Sequence, residues 1–107
     1  MSGQGDMGNL LQQAQKMQRQ LDKVREELHR REVEGQAGGG AVRITFTADR
    51  QEVHGVHISP DLFKNGDAKV MQDHLTVALE DVLRRALEEE KRAMGEVTGG
   101  MNLPGIF

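Results

Sequence analysis

The apolar and polar positions divide the chain into three regimes. In the first, Leu10, Ala14, Met17, Leu21, Val24 and Leu28 recur at alternating spacings of four and three. This is a heptad seam, and it predicts a helix over residues 7–31 with one apolar edge. Between the seam positions stand Gln, Lys, Glu and Arg, which favour a helix on their own account. Such a helix is roughly 37 Å long, longer than a small sheet is wide, so it projects or pairs with a second copy. Residues 1–8, "MSGQGDMG", are polar and glycine-rich and predict a frayed, flexible leader.

The second regime alternates with period two. In "AVRITFTA" (41–48), Val42, Ile44, Phe46 and Ala48 fall on one side and Arg43, Thr45 and Thr47 on the other, the signature of a half-buried strand. "REVEGQ" (31–36) predicts a short strand before it, and Gly38-Gly39-Gly40 a flexible hairpin connection. Asp49-Arg50-Gln51 is a turn into a third strand, "EVHGVHI" (52–58), with a bulge at Gly55. Short connections make the three strands an antiparallel meander. Ser59-Pro60-Asp61 ends it and starts a single helical turn through Leu62 and Phe63.

The third regime is a second long helix, N-capped by Asp67 and ended by Gly95. Met71, Leu75, Ala78, Leu79, Val82, Ala86 and Ala93 form its apolar stripe, and Val70, Val77, Leu83 and Leu87 widen it. A face this broad covers a sheet and leaves apolar surface for a neighbour. The tail "EVTGGMNLPGIF" has no charged side chain after Glu96; its Met101, Leu103, Ile106 and Phe107, stiffened by Pro104, predict a packed segment. The whole reads as one α+β domain over residues 1–107: long helix, three-stranded antiparallel sheet, long helix, short C-terminal tail.

Composition narrows the function. There is no cysteine, hence no disulfide, thiolate metal site or cysteine nucleophile. There is no Trp or Tyr and only three Phe, a thin core of the kind often completed by a second copy. No apolar run is long enough to cross a bilayer and the N-terminus is no secretory signal, so the expectation is a soluble, cytoplasmic protein.

The net charge is −3, but it is unevenly spread. Residues 7–31 hold six Lys/Arg against three Asp/Glu, and residues 32–107 hold eight against thirteen. On the first helix Lys16, Lys23 and Arg30 share one heptad position, and Arg19 lies one turn from Lys16 and Lys23. These four form a stripe facing away from the seam. Such a stripe can follow phosphates and release their condensed cations; it can also be an ordinary solvated face.

Other motifs carry less. "GQGDMG" matches G-x-G-x-x-G but has no strand before it to aim a phosphate-binding turn. His54 and His57, three apart on a strand, are expected on opposite faces, which is wrong for a shared metal. Glu88-Glu89-Glu90, followed by Lys91 and Arg92, is a salt-bridged surface. No hydrolase pattern is present, so neither an enzyme nor a cofactor or metal is expected. Without aromatic stacking platforms, any nucleic-acid binding should rest on phosphates and show slight sequence preference.

Taken together, "GNLLQQAQKMQ" (8–18), "VEGQAGGGAV" (33–42) and "MGEVTGGMNLPGIF" (94–107), with this element order, resemble the YbaB/EbfC family of bacterial nucleoid-associated proteins over essentially the whole chain. The resemblance implies a tweezer-like homodimer with projecting long helices. It also implies binding of double-stranded DNA with little sequence requirement, and a role in nucleoid organisation or gene regulation in the cytoplasm. Neither a membrane nor a small-molecule substrate is expected. DNA contacts are expected on the helices: Lys16, Arg19, Lys23 and Arg30 by the heptad argument, with Arg31, Arg84 and Arg85, and then Lys91 and Arg92, as weaker candidates. The dimer interface is expected at Leu21, Val24, Leu28, Leu79, Val82 and Leu83. One departure is the acidic second helix and tail, which would repel DNA or serve dimerisation alone. The alternative reading is a helical protein–protein interaction or adaptor module without direct nucleic-acid binding.

Overall fold

A computed structural model describes the backbone of residues 2–98 and the side chains of residues 7–97. The elements in chain order are helix α1 (Ser2–Arg30), strands β1 (Glu32–Ala37), β2 (Val42–Thr47) and β3 (Val53–Ile58), a short helix α2 (Pro60–Asn65), and helix α3 (Ala68–Thr98). The fold is α+β, as the periodicities predict. Two boundaries differ from expectation. α1 begins at Ser2, inside the stretch expected to fray. α3 runs through Gly95 to Thr98, because one glycine costs a helix only about 1 kcal/mol and Met94 and Val97 pack against the core on either side of it. The tail expected to pack, from residue 99 on, lies outside the described residues.

The sheet has the order β1-β2-β3, antiparallel throughout. Val42, Ile44, Phe46 and Ala48 are buried, as their alternation requires. On β1 the same side carries Val33, Gly35 and Ala37. α3 lies across β1 and β2 with Ala78, Val82 and Ala86 fully buried, small residues that let helix and sheet approach closely. Thr47, expected outside, is buried: its hydroxyl donates to Asp49 and accepts the N–H groups of Gln51 and Glu52, closing the β2–β3 turn. Gly38, Gly39 and Gly40 all have positive φ (60°, 65° and 97°) and make one tight turn, closed by the Ala41 N–H on the Gly38 carbonyl, so a defined conformation replaces the flexible connection expected. Asp67 caps α3 as predicted, its carboxylate accepting the N–H of Val70 at 2.9 Å.

The predicted bulge is present one residue from Gly55. Gly55 pairs with Thr45 and Val53 with Phe46, leaving His54 as the extra residue. This corrects the expectation for the two histidines. The inserted residue resets the alternation, and both His54, which meets Glu32 at 2.7 Å, and His57, opposite Arg43, belong to the outer side of the sheet. Among the described residues no His, Cys, Asp and Glu group could hold a metal.

The molecule is elongated, 77 × 24 × 17 Å, with a radius of gyration of 20.5 Å; a compact chain of this length would have about 13 Å. The excess is α1. Its C-terminal turns join the core through Val24 and Leu28, while Met7, Leu10 and Leu11 stand in solvent.

Candidate nucleic-acid interface

Lys16, Arg19, Lys23 and Arg30 follow one another along one side of α1. Arg19 and Arg30 lie across the helix from the core contacts Val24 and Leu28, Lys23 lies to one side, and Lys16 borders the cleft between α1 and Val97 of α3. Successive heptad cations are roughly 10 Å apart, about three base-pair steps of duplex. Among the described residues Lys16, Arg19 and Lys23 take part in no ion pair, and Asp22, beside them in sequence, is held by Gln18 and Arg25. Arg30 differs, since Glu26 meets it at 3.3 Å; both side chains are well exposed, so the pair is weak.

The weaker candidates are occupied. Arg31 donates to Glu89 at 2.7 Å, tying the end of α1 to α3. That hydrogen bond is the main reason the Glu89 carboxyl titrates below its ordinary value, against the opposing effect of burial; Arg92 lowers it further. Arg84 and Arg85 both bind Asp81, and Arg84 also reaches Glu88. Asp81 in turn accepts the backbone N–H of Gln36 at 2.9 Å. That N–H lowers its pKa most, burial opposes, and the two guanidinium groups lower it further. Asp81 fastens α3 to β1, and the two arginines, on the same helix, neutralise it. Lys91 has no ion pair among the described residues, but it stands beside Glu88, Glu89 and Glu90.

His29 makes one contact set that sequence reasoning missed. Its Nδ1 lies 2.8 Å from Asp49 and its Nε2 3.2 Å from Glu52, so the end of α1 clasps the β2–β3 turn. Burial alone would raise the Asp49 pKa, but hydrogen bonds from Thr47, His29 and the Gln51 N–H outweigh it and lower the value. No local pattern joins residues twenty apart; only the meander brings them together.

The expected dimer residues divide. Val24, Leu28 and Val82 are buried within the protomer and offer no surface to a second copy. The seam predicted that they would be covered, and their own sheet and α3 cover them. Leu21 is half-buried. Leu79 and Leu83 are 44% and 47% exposed and Leu87 46%, one turn apart along α3. Asp81 holds the other flank of α3 to the β1 edge, so these leucines overhang the β3 side. There Val53 and Val56 pair with Phe46 and Ile44 and therefore face the same side of the sheet, yet are 67% and 54% exposed. α3 covers β1 and β2 but stops short of β3. The result is an apolar ledge with a sheet floor and a helix wall.

Three comparisons with known proteins bear on this geometry. A nucleoid-associated protein of Alkaliphilus metalliredigens (strain QYMF) is 38% identical over 107 residues, covering 100% of this chain and 93% of that protein. The crystal structure of an uncharacterized protein of Helicobacter pylori has the same fold, with a TM-score of 0.68 at 24% identity over 84% of this chain and 90% of that one. The model of the YbaB/EbfC DNA-binding family matches residues 3–101. A projecting cationic helix on a small α+β body, matched along nearly its whole length, places the chain in the YbaB/EbfC DNA-binding family.

Proposed function

We propose that this protein binds duplex DNA as a homodimer, through phosphate contacts and with little sequence preference. Family membership carries the coarse part, a non-enzymatic DNA-binding protein associated with the nucleoid. The finer part is supported above all by Lys16, Arg19 and Lys23, exposed cations of a long helix with no acidic partner among the described residues. A free cation can neutralise a phosphate without first breaking an ion pair. Arg30 joins them by displacing the solvent-exposed Glu26, whereas Arg31, Arg84 and Arg85 are engaged elsewhere and contribute little.

The ledge supports the dimer. Exposed apolar side chains on two adjoining elements are costly in water and favour a partner. A two-fold axis beside β3 would let each copy's α3 leucines cover the other's Val53 and Val56. Two arms on one rigid body then bind more tightly than one, since the second contact is intramolecular. The ledge would equally suit an adaptor that docks another protein, and charge reversal separates the two readings. The Lys16→Glu, Arg19→Glu, Lys23→Glu variant should lose duplex binding in a gel-shift titration while keeping its circular dichroism spectrum and mass in solution. Unchanged DNA binding would overturn the assignment.

A further inference from the structure

Three elements meet where α1 joins the body, and each is tied to the other two by an ion pair. His29 of α1 meets Asp49 and Glu52 of the β2–β3 turn at 2.8 and 3.2 Å. Arg50 of that turn meets Glu90 of α3 at 2.9 Å, and Arg31, the residue after α1, meets Glu89 of α3 at 2.7 Å. The turn itself is braced. Asp49 also accepts the hydroxyl of buried Thr47 and the N–H of Gln51, and Arg50 holds a left-handed φ of 64°.

The His29 contacts carry a chemical requirement. A neutral imidazole has one N–H and one lone pair. A carboxylate at each ring nitrogen is satisfied only by the imidazolium, which donates from both. Arg25, Glu26 and Arg30 of α1 also stand near the ring; Asp22 engages Arg25, and Glu26 engages Arg30. On α3, Glu89 and Glu90 are taken by Arg31 and Arg50.

We propose that His29 is a positioning residue for DNA binding: its imidazolium, clasped between Asp49 and Glu52, fixes the direction of α1 and so of Lys16, Arg19 and Lys23. This rests on the reading of those three as phosphate contacts. Burial of Val24 and Leu28 holds α1 to the body without fixing its angle, whereas hydrogen bonds are directional. Lys16 lies thirteen residues before His29, roughly 20 Å along the helix. A turn of about 10° at the root therefore moves Lys16 by roughly 3.5 Å, a full phosphate step along one strand. As pH rises through the range in which histidine titrates, the ring loses one donor and the clasp opens on one side.

The test uses the full chain, which has no cysteine of its own. Spin labels at Gln15→Cys on α1 and Glu34→Cys on the outer side of β1 report the arm's direction, with excess unlabelled protein so that each dimer carries one labelled copy. The distance distribution should be narrow at pH 6 and at least half as wide again at pH 8.5. His29→Gln should be wide at both, and His29→Arg, a permanent cation with a donor for each carboxylate, narrow at both. Between pH 6 and pH 8.5 duplex affinity should fall at least threefold more for the wild type than for His29→Gln or His29→Arg. His57→Gln, which removes a histidine from the outer side of the sheet, should follow the wild type. A wild-type distribution unchanged with pH, or a His29→Gln distribution as narrow as that of the wild type at pH 6, would overturn the clasp. Equal pH profiles of affinity for wild type and His29→Gln would overturn the positioning role. Failure of the underlying reading looks different: the triple charge reversal at Lys16, Arg19 and Lys23 would keep its DNA binding while the distances still answered to His29, which would overturn those contacts and leave the clasp standing.

Discussion

Gly35 on β1 lies against the backbone of Val82 on α3 so closely that a Cβ on Gly35 would stand 2.3 Å from the Val82 nitrogen. The neighbours in the way are main-chain atoms and a β-branched side chain, none of which can swing aside. Helix and sheet meet at full van der Waals contact because this one position has no side chain. Gly35→Ala should therefore cost at least the 1–3 kcal/mol typical of overpacking, read as a lowered urea midpoint with an unchanged slope. Gly39→Ala is the control. Open space surrounds it, but φ is +65°, so it should cost about 1–2 kcal/mol from conformation alone.

Acid should loosen the structure through Asp49, Asp81 and Glu89, whose carboxyl groups all titrate below their ordinary values. A lowered folded-state pKa means that the unfolded chain binds more protons in the carboxylate range. The stabilisation is thus complete above the unfolded pKa values and is lost as pH falls through the folded ones. Unfolding followed from pH 7 to pH 2 should show a flat upper region and a decline below about pH 4. Asp81→Asn should flatten part of that decline, because the amide oxygen can still accept the Gln36 N–H but no longer titrates.

Much of this architecture is legible in the residues. The period-two pattern of Val42, Ile44, Phe46 and Ala48 fixes β2 and its inward side, and Asp67 announces α3. The heptad seam of α1 gives a helix and its apolar edge, but periodicity does not say what covers that edge. Val24 and Leu28 are covered by their own sheet and α3, whereas Leu10 and Leu11, on the same helix, are not. Charge is more legible: Arg84 has Asp81 three residues before it and Glu88 four after it on the same helix, whereas Lys16 has no acid at either spacing. The bulge at His54 reversed the expected alternation of the two histidines, a one-residue slip that glycine at position 55 hints at without locating.

The ledge predicts a separation of assembly from folding. Leu83→Asp places a carboxylate at a site already 47% exposed, so the protomer should keep its fold. In a two-fold dimer the change occurs twice, and losing two apolar contacts of about 1.5–3 kcal/mol each should raise the dissociation constant by at least 100-fold. Analytical ultracentrifugation at micromolar concentration should then find the monomer. Val82→Asp, one residue away and fully buried, should abolish folding instead. Two variants with the same phenotype would argue against the ledge as the interface.

Salt dependence tests the stripe most directly, because it counts phosphates. Each neutralised phosphate adds about −0.9 to the slope of log K against log salt. A dimer engaging Lys16, Arg19, Lys23 and Arg30 on both arms should give a slope of about −7, and should lose roughly 10⁴-fold in affinity between 50 and 200 mM salt. Lys23→Gln removes one contact per arm and should bring the slope to about −5.4. Arg84→Gln and Arg85→Gln should leave the slope unchanged, since their charge is spent on Asp81 and Glu88. The affinity of the wild type should also vary little among duplexes of different sequence, because phosphates position a protein without identifying bases. A slope that falls equally with all three substitutions would mean that α3 reaches the DNA despite its acidic surroundings, and the stripe on α1 would lose its special standing.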